Sequence, residues 1–165
     1  MSAGEAPVPA IPAAPARHKS KRRKTRDFLL QALYRRLLSG AEVRELQRDI
    51  EMGEYWSQLD HGFYRDTLAG VVQDIEGIEQ AMGGALDRPL AEVSPIERAI
   101  LQIGLFELIH RPDTPLRVII NEAIELAKTF GGTDGHKFVN GVLDRLAQTL
   151  RPDELARGGR HGTGI

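Results

Sequence analysis

The sequence contains no cysteine. That excludes disulfides, thiolate nucleophiles and thiolate-bound metals, and it fits a reducing compartment such as the cytoplasm. Aromatic residues make up only 5% of the 165 residues, so each of them is worth placing. No apolar run approaches the roughly 20 residues that span a bilayer. The opening stretch MSAGEAPVPAIPAAPA lacks the basic start of a signal peptide and is interrupted by prolines. It reads as a disordered Ala/Pro-rich extension. The five histidines (His18, His61, His110, His136 and His161) show neither H-x-x-x-H nor H-E-x-x-H spacing. Asp134 and His136 alone offer too few ligands for a metal, and G-x-S-x-G is missing. The glycine-rich stretch FGGTDGHKFVNG, residues 130–141, has Lys137 after a histidine and follows a helical pattern, so it fails as a phosphate-binding P-loop. Nothing here assembles an enzyme site, and neither a cofactor nor a metal is expected.

What is present begins with charge. The net formal charge of −1 conceals an arm, RHKSKRRKTR over Arg17–Arg26, with seven Lys or Arg and no acid. The rest of the chain then holds 15 basic against 23 acidic residues, a formal charge of −8. A basic arm on an acidic body suits a nucleic acid at the arm and a basic protein at the body, or else a solvated basic tail.

Beyond the arm the periodicity is helical. KTRDFLLQALYRRLLSG repeats leucines in steps of four and stops at Gly40, a C-terminal cap. AEVRELQRDIEMG is a shorter, more polar helix, and GFYRDTLAGVVQDIEGIEQAM reads as one long helix. SPIERAILQIGLFELIH opens with a capping box, Ser94 and Glu97, and Pro95 at the first helical position. Its apolar residues cover more than one stripe, which predicts a central helix buried on most sides. RPDTPLRVIINEAIELAKTF starts at Thr114 and Pro115, and TDGHKFVNGVLDRLAQTL runs towards Pro152. The pattern predicts an all-α fold of six or seven helices over residues 21–150, preceded by the extension over 1–20 and followed by a flexible Gly/Arg-rich tail over 151–165. Gly70, Gly104 and Gly141 interrupt apolar helix patterns at roughly 1 kcal/mol each against Ala, and are expected at close helix–helix contacts.

Two aromatics raise an RNA question. In the last helix the buried face runs through Val139, Val142, Leu143, Leu146 and Leu150, which turns Lys137 outward and leaves Phe138 on a flank. An aromatic at a helix start beside a lysine suits an unstacked base, and it also suits the edge of a core. Tyr34, on the stripe Arg23–Asp27–Leu30–Tyr34, carries the same two readings.

Four segments, RRKTRDFLLQALY, FYRDTLAGV, IERAILQIGLFEL and INEAIELAKTFGGTDGHKFVNGVLDRLA, together resemble the bacterial NusB family. The resemblance implies two small packed helical subdomains and a transcription antitermination factor. It would bind single-stranded boxA RNA together with NusE, a small-subunit ribosomal protein, and support ribosomal RNA operon transcription within an RNA polymerase complex. It places Arg22, Arg23, Arg26, Tyr34, Asp134, Lys137, Phe138 and Asn140 on the RNA side, and Glu97 on the side facing NusE. Arg98 and Leu101 are added as its neighbours. A NusB-like domain related to ribosomal RNA cytosine methyltransferases is an alternative, but that activity needs a nucleophilic cysteine. A scaffold binding only protein is another.

Overall fold

The computed structural model describes residues 20–161, and among them every regular element is helical. The chain forms α1 (Lys21–Ser39), α2 (Val43–Met52), α3 (His61–Gln73), α4 (Ile75–Gly83), α5 (Pro95–His110), α6 (Leu116–Phe130), α7 (Gly135–Leu150) and α8 (Pro152–His161). Two single 3₁₀ turns, Trp56–Gln58 and Leu90–Glu92, interrupt the connections. The all-α class is as expected, with more helices than six or seven. The Ala/Pro-rich extension lies outside the described residues except for Ser20, as do the last four residues of the tail.

The fold is organised around α5. Ser94 Oγ accepts the Glu97 N–H at 3.2 Å, and Pro95 occupies the first turn. The capping box closes differently from the usual pattern: the Ser94 hydroxyl donates to Glu97 Oε2 at 2.5 Å. Every residue from Ala99 to Leu108 is buried, as the many-sided apolar pattern predicts. Helices α1, α3, α4, α7 and α6 surround α5, each touching the next, and α6 meets α1 again to close the ring. The apolar interior is one continuous cluster shared by α1–α4 and α5–α7. Arg26 near the start of α1 meets Glu107 near the end of α5, so these two helices are antiparallel. Gly135 at the start of α7 lies against Glu97 at the start of α5, so α7 runs parallel to it.

Three details differ from the periodicity. The long helix expected over residues 62–82 breaks at Asp74 (φ −110°, ψ 30°), whose carboxylate folds over Gly77 where a Cβ would sit. The start of α6 is not capped by Thr114. Glu154 of α8 reaches back to accept the Leu116 N–H at 2.5 Å, supplying from a distance the acceptor that an exposed helix end needs. The segment after Pro152 is therefore helical and anchored. Arg151 (9% exposed) donates to the carbonyls of Leu108, Arg111 and Thr114, and to Glu154.

The three glycines divide. A Cβ on Gly70 would lie 2.2 Å from a Phe106 ring carbon, and one on Gly104 would press on Leu143 at 3.2 Å. On Gly141 it would meet only the Arg145 guanidinium, at an ordinary 3.6 Å, so Gly141 marks no close approach. Gly70→Ala is expected to cost about 1–2 kcal/mol, overpacking outweighing the gain in helix propensity. Gly141→Ala is expected to stabilise by up to ~1 kcal/mol. Urea-denaturation midpoints of the two variants test the contrast, which disappears if both shift in the same direction.

Candidate nucleic-acid interface

The first turn of α1 holds Lys21, Arg22, Arg23 and Lys24 with no acid, against the helix dipole. Ser20 Oγ caps the turn by accepting the Arg23 N–H at 3.2 Å. Compensation comes from carboxylates on other elements, and it splits the arm into inward and outward cations. Arg26 is 4% exposed and makes a bidentate pair with Glu107, itself 2% exposed, at 2.7 and 3.1 Å. Arg23 donates three hydrogen bonds to Glu122 of α6 at 2.9–3.1 Å, which raise its pKa. Glu122 also lies 3.9 Å from Arg26. The Glu122 side chain is only 13% exposed because it receives these arginines.

This corrects one expectation. Arg26 is not available to a phosphate: its guanidinium is interior and already matched to a carboxylate. Arg23 is mostly committed as well. Arg22 remains half exposed, with Asp60 at 3.5 Å. Lys21 is exposed, and Lys24 donates to Gln58 at 2.6 Å.

The turn before α7 provides a second group. Gly131 ends α6, its N–H donating to Ala127, and Asp134 precedes α7 without a side-chain cap bond. Asp134 and Lys137 are 76% and 73% exposed and 3.5 Å apart. Phe138 is half-buried and packs on the edge of the core, while the Arg88 guanidinium lies 4.6 Å from its ring centroid. Arg88 is itself held by Asp87 at 2.9 Å. The ring is thus a core-edge residue with one face under a cation. Asn140 is half-buried nearby on the same helix.

Because α1 is antiparallel to α5 and α7 is parallel, the two groups occupy opposite ends of the bundle. Tyr34, half-buried, lies about 16 Å along α1 from Arg23 at 1.5 Å per residue, in the direction of that second end. Its stripe is the one that Arg23 directs at α6, the helix lying between α1 and α7.

The residues assigned to a protein partner fare unevenly. Glu97 is half-buried between Ser94 and Gly135. Arg98 forks onto Glu79 at 2.7–2.9 Å with 27% of its side chain exposed. Leu101 is fully buried in the core and offers a partner no surface, a second correction. No group of three or more His, Asp or Glu among the described residues could hold a metal, and no described helix is long and apolar enough to cross a membrane.

The sequence profile of the NusB family matches residues 23–148. The transcription antitermination protein NusB of Dechloromonas aromatica is 48% identical over 138 residues, covering 84% of this chain and 85% of its own. That of Nitrosomonas eutropha is 46% identical over 138 residues, covering 84% and 83%. The chain belongs to the NusB family. T. maritima NusB shares the fold at a TM-score of 0.68 and 28% identity, over 84% of this chain and 99% of that one. NusB proteins are transcription antitermination factors rather than enzymes, which sets aside the methyltransferase alternative.

Within this NusB fold, sequence reasoning missed three side chains near the candidate residues: Arg88 over Phe138, Phe63 beneath the arm, and Arg111 beside Phe63. None follows from spacing along one helix, since each meets its neighbour across elements.

Glu107→Ala leaves the Arg26 charge buried without its partner and is expected to destabilise the fold by about 3–5 kcal/mol. Arg22→Ala breaks a long, exposed ion pair and should cost under about 1 kcal/mol. Chemical denaturation measures both; equal losses would show that the arm arginines are not divided between interior and surface.

Proposed function

We propose that this NusB-family chain acts in the cytoplasm by binding the single-stranded boxA element of nascent RNA together with NusE. The joint complex supports ribosomal RNA operon transcription by RNA polymerase. The observation that carries this reading is the outward set of cations at the start of α1, exposed on an otherwise acidic body. Lys137 and Phe138 at the start of α7 offer a second patch at the other end of the bundle, with Tyr34 on the helix that runs towards it.

The mechanism is assembly. Lys21, Arg22, Lys24 and Lys137 hold phosphates of the strand, as cations on a single-strand binder do. Bases splayed from the strand stack on Tyr34 and Phe138. Because the Arg88 guanidinium lies over one face of Phe138, a base stacking on that face displaces it from the ring, with Asp87 still its ion-pair partner. Asp134 and Asn140 offer acceptors and donors to base edges. The acidic body, with Glu97 and the exposed part of Arg98 at the start of α5, receives the basic ribosomal protein.

A gel-shift titration with boxA RNA, with and without NusE, tests the reading. With four phosphates neutralised, log affinity is expected to fall with log salt at a slope of about −3, from roughly −0.7 per contact. Phe138→Ala should lose about 1–3 kcal/mol of RNA binding while the fold is retained. No boxA binding even with NusE present would leave the chain a protein-only scaffold. Unchanged affinity in a folded Phe138→Ala variant would remove that ring from the site.

A further inference from the structure

Phe63, in the first turn of α3, has three guanidinium groups around one ring. Arg111 lies 4.0 Å from its centroid, Arg22 4.6 Å and Arg26 5.0 Å. Each aromatic face attracts a cation, but the cations repel each other and need anions of their own. Arg26 has Glu107 and Arg22 has Asp60. Arg111 has no carboxylate within ion-pair distance among the described residues. Its Nη2 reaches only the Phe63 carbonyl at 3.5 Å, and its buried Nη1 donates to nothing. Burial disfavours the charge and lowers the pKa of Arg111, yet an arginine stays protonated in a protein. The result is a fixed positive charge with an unused, desolvated donor.

Arg111 borders a groove of about 510 Å³ between the start of α1, the start of α3 and the loop joining α5 to α6. Arg22 lines the same groove, with Thr114 and His110. Asp66 and Asp113 also line it, both exposed. Two cations facing two carboxylates make a poor seat for a doubly charged anion. They are better suited to a singly charged one that brings oxygens within reach of both forks.

We propose that this groove is a phosphodiester site, in which Arg111 and Arg22 grip one backbone phosphate of the bound RNA where the strand crosses the start of α1. The site rests on the RNA reading above and extends the strand's path beyond the α1 cations, onto the α5–α6 loop. The loop is held for this purpose: Arg151 fixes the carbonyls of Arg111 and Thr114 at 2.9 and 3.1 Å. Arg111 therefore presents its side chain from an anchored backbone, beside the rings of Phe63 and Phe106.

The test uses the full chain, boxA RNA and NusE. Arg111→Met keeps an apolar stem against Phe63 and Phe106 and removes the charge; Arg111→Lys keeps the charge. Because the phosphate is held only by the two forks together, Arg111→Met is expected to make the salt slope of RNA binding shallower by roughly 0.7, one phosphate contact, with a several-fold loss of affinity at low salt. Arg111→Lys should keep the slope. Combining Arg111→Met with Arg22→Gln should lose less than the sum of the two, since both grip one phosphate. Inorganic phosphate at equal ionic strength should compete weakly. A folded Arg111→Met protein with the wild-type slope overturns the site, and so does strict additivity with Arg22→Gln. If Arg111→Met does not fold, Arg111→Lys and Arg22→Gln decide alone: the slope must hold in the first and fall in the second. Failure of the wild-type protein to bind boxA defeats the RNA reading itself and is seen before any variant is compared.

Discussion

The buried pair between Arg26 and Glu107 sets the arrangement of everything around it. Both side chains are almost wholly removed from water, so each is tolerable only because the other is there. The pair fixes the beginning of α1 against the end of α5, and with it the direction and register of α1. Once Arg26 points inward, Arg22 and Arg23 fall to either side of the helix. Arg23 meets Glu122 on α6 and Arg22 meets Asp60 and Phe63 at α3. The first turn, unfavourable alone because four cations sit at a positive helix end, is held by two acids from other elements, Glu122 of α6 and Asp60 just before α3. A basic segment that would be a solvated tail in isolation becomes an ordered helix with defined exposed charges.

On the proposed RNA reading, that order matters for binding a flexible strand. A disordered arm loses conformational freedom when it grips a phosphate, at roughly 0.5–1.5 kcal/mol for each immobilised long side chain. Here the backbone of the cations is already helical before any ligand arrives. The same preparation is visible at the other end, where Phe138 is fixed by the core and Arg88 rests on it. The cost of preparation is internal charge: Glu107 and Glu122 are spent on the arm and do not contribute to the acidic surface.

How much of this the sequence discloses depends on whether an interaction lies within a helix or between helices. The course of α5 is legible because Ser94, Pro95 and Glu97 are local signals, and because apolar residues on all sides can only mean burial. The left-handed Gly40 that ends α1 is local too. The break at Asp74 is not, since the apolar positions Leu68, Val71, Ile75 and Ile78 continue the helical period across it. The cap of α6 by Glu154 bridges 38 residues and leaves no mark in either segment. The family resemblance locates the two clusters of candidate residues, but it treats neighbours in RRKTR as equals. Distinguishing Arg26 from Arg22 requires knowing that Glu107, 81 positions away, lies under one and not the other.

The same division explains why composition alone misleads about this surface. Counted as a block, the arm offers seven positive charges to a nucleic acid. In the fold, Arg23 and Arg26 are neutralised by interior carboxylates, while Arg111, far from the arm in sequence, stands beside it without one. Net charge is therefore a poor measure of what a phosphate would meet. The better measure is the set of cations left over after the interior acids have been matched, and the fold, through one buried pair, decides which cations those are.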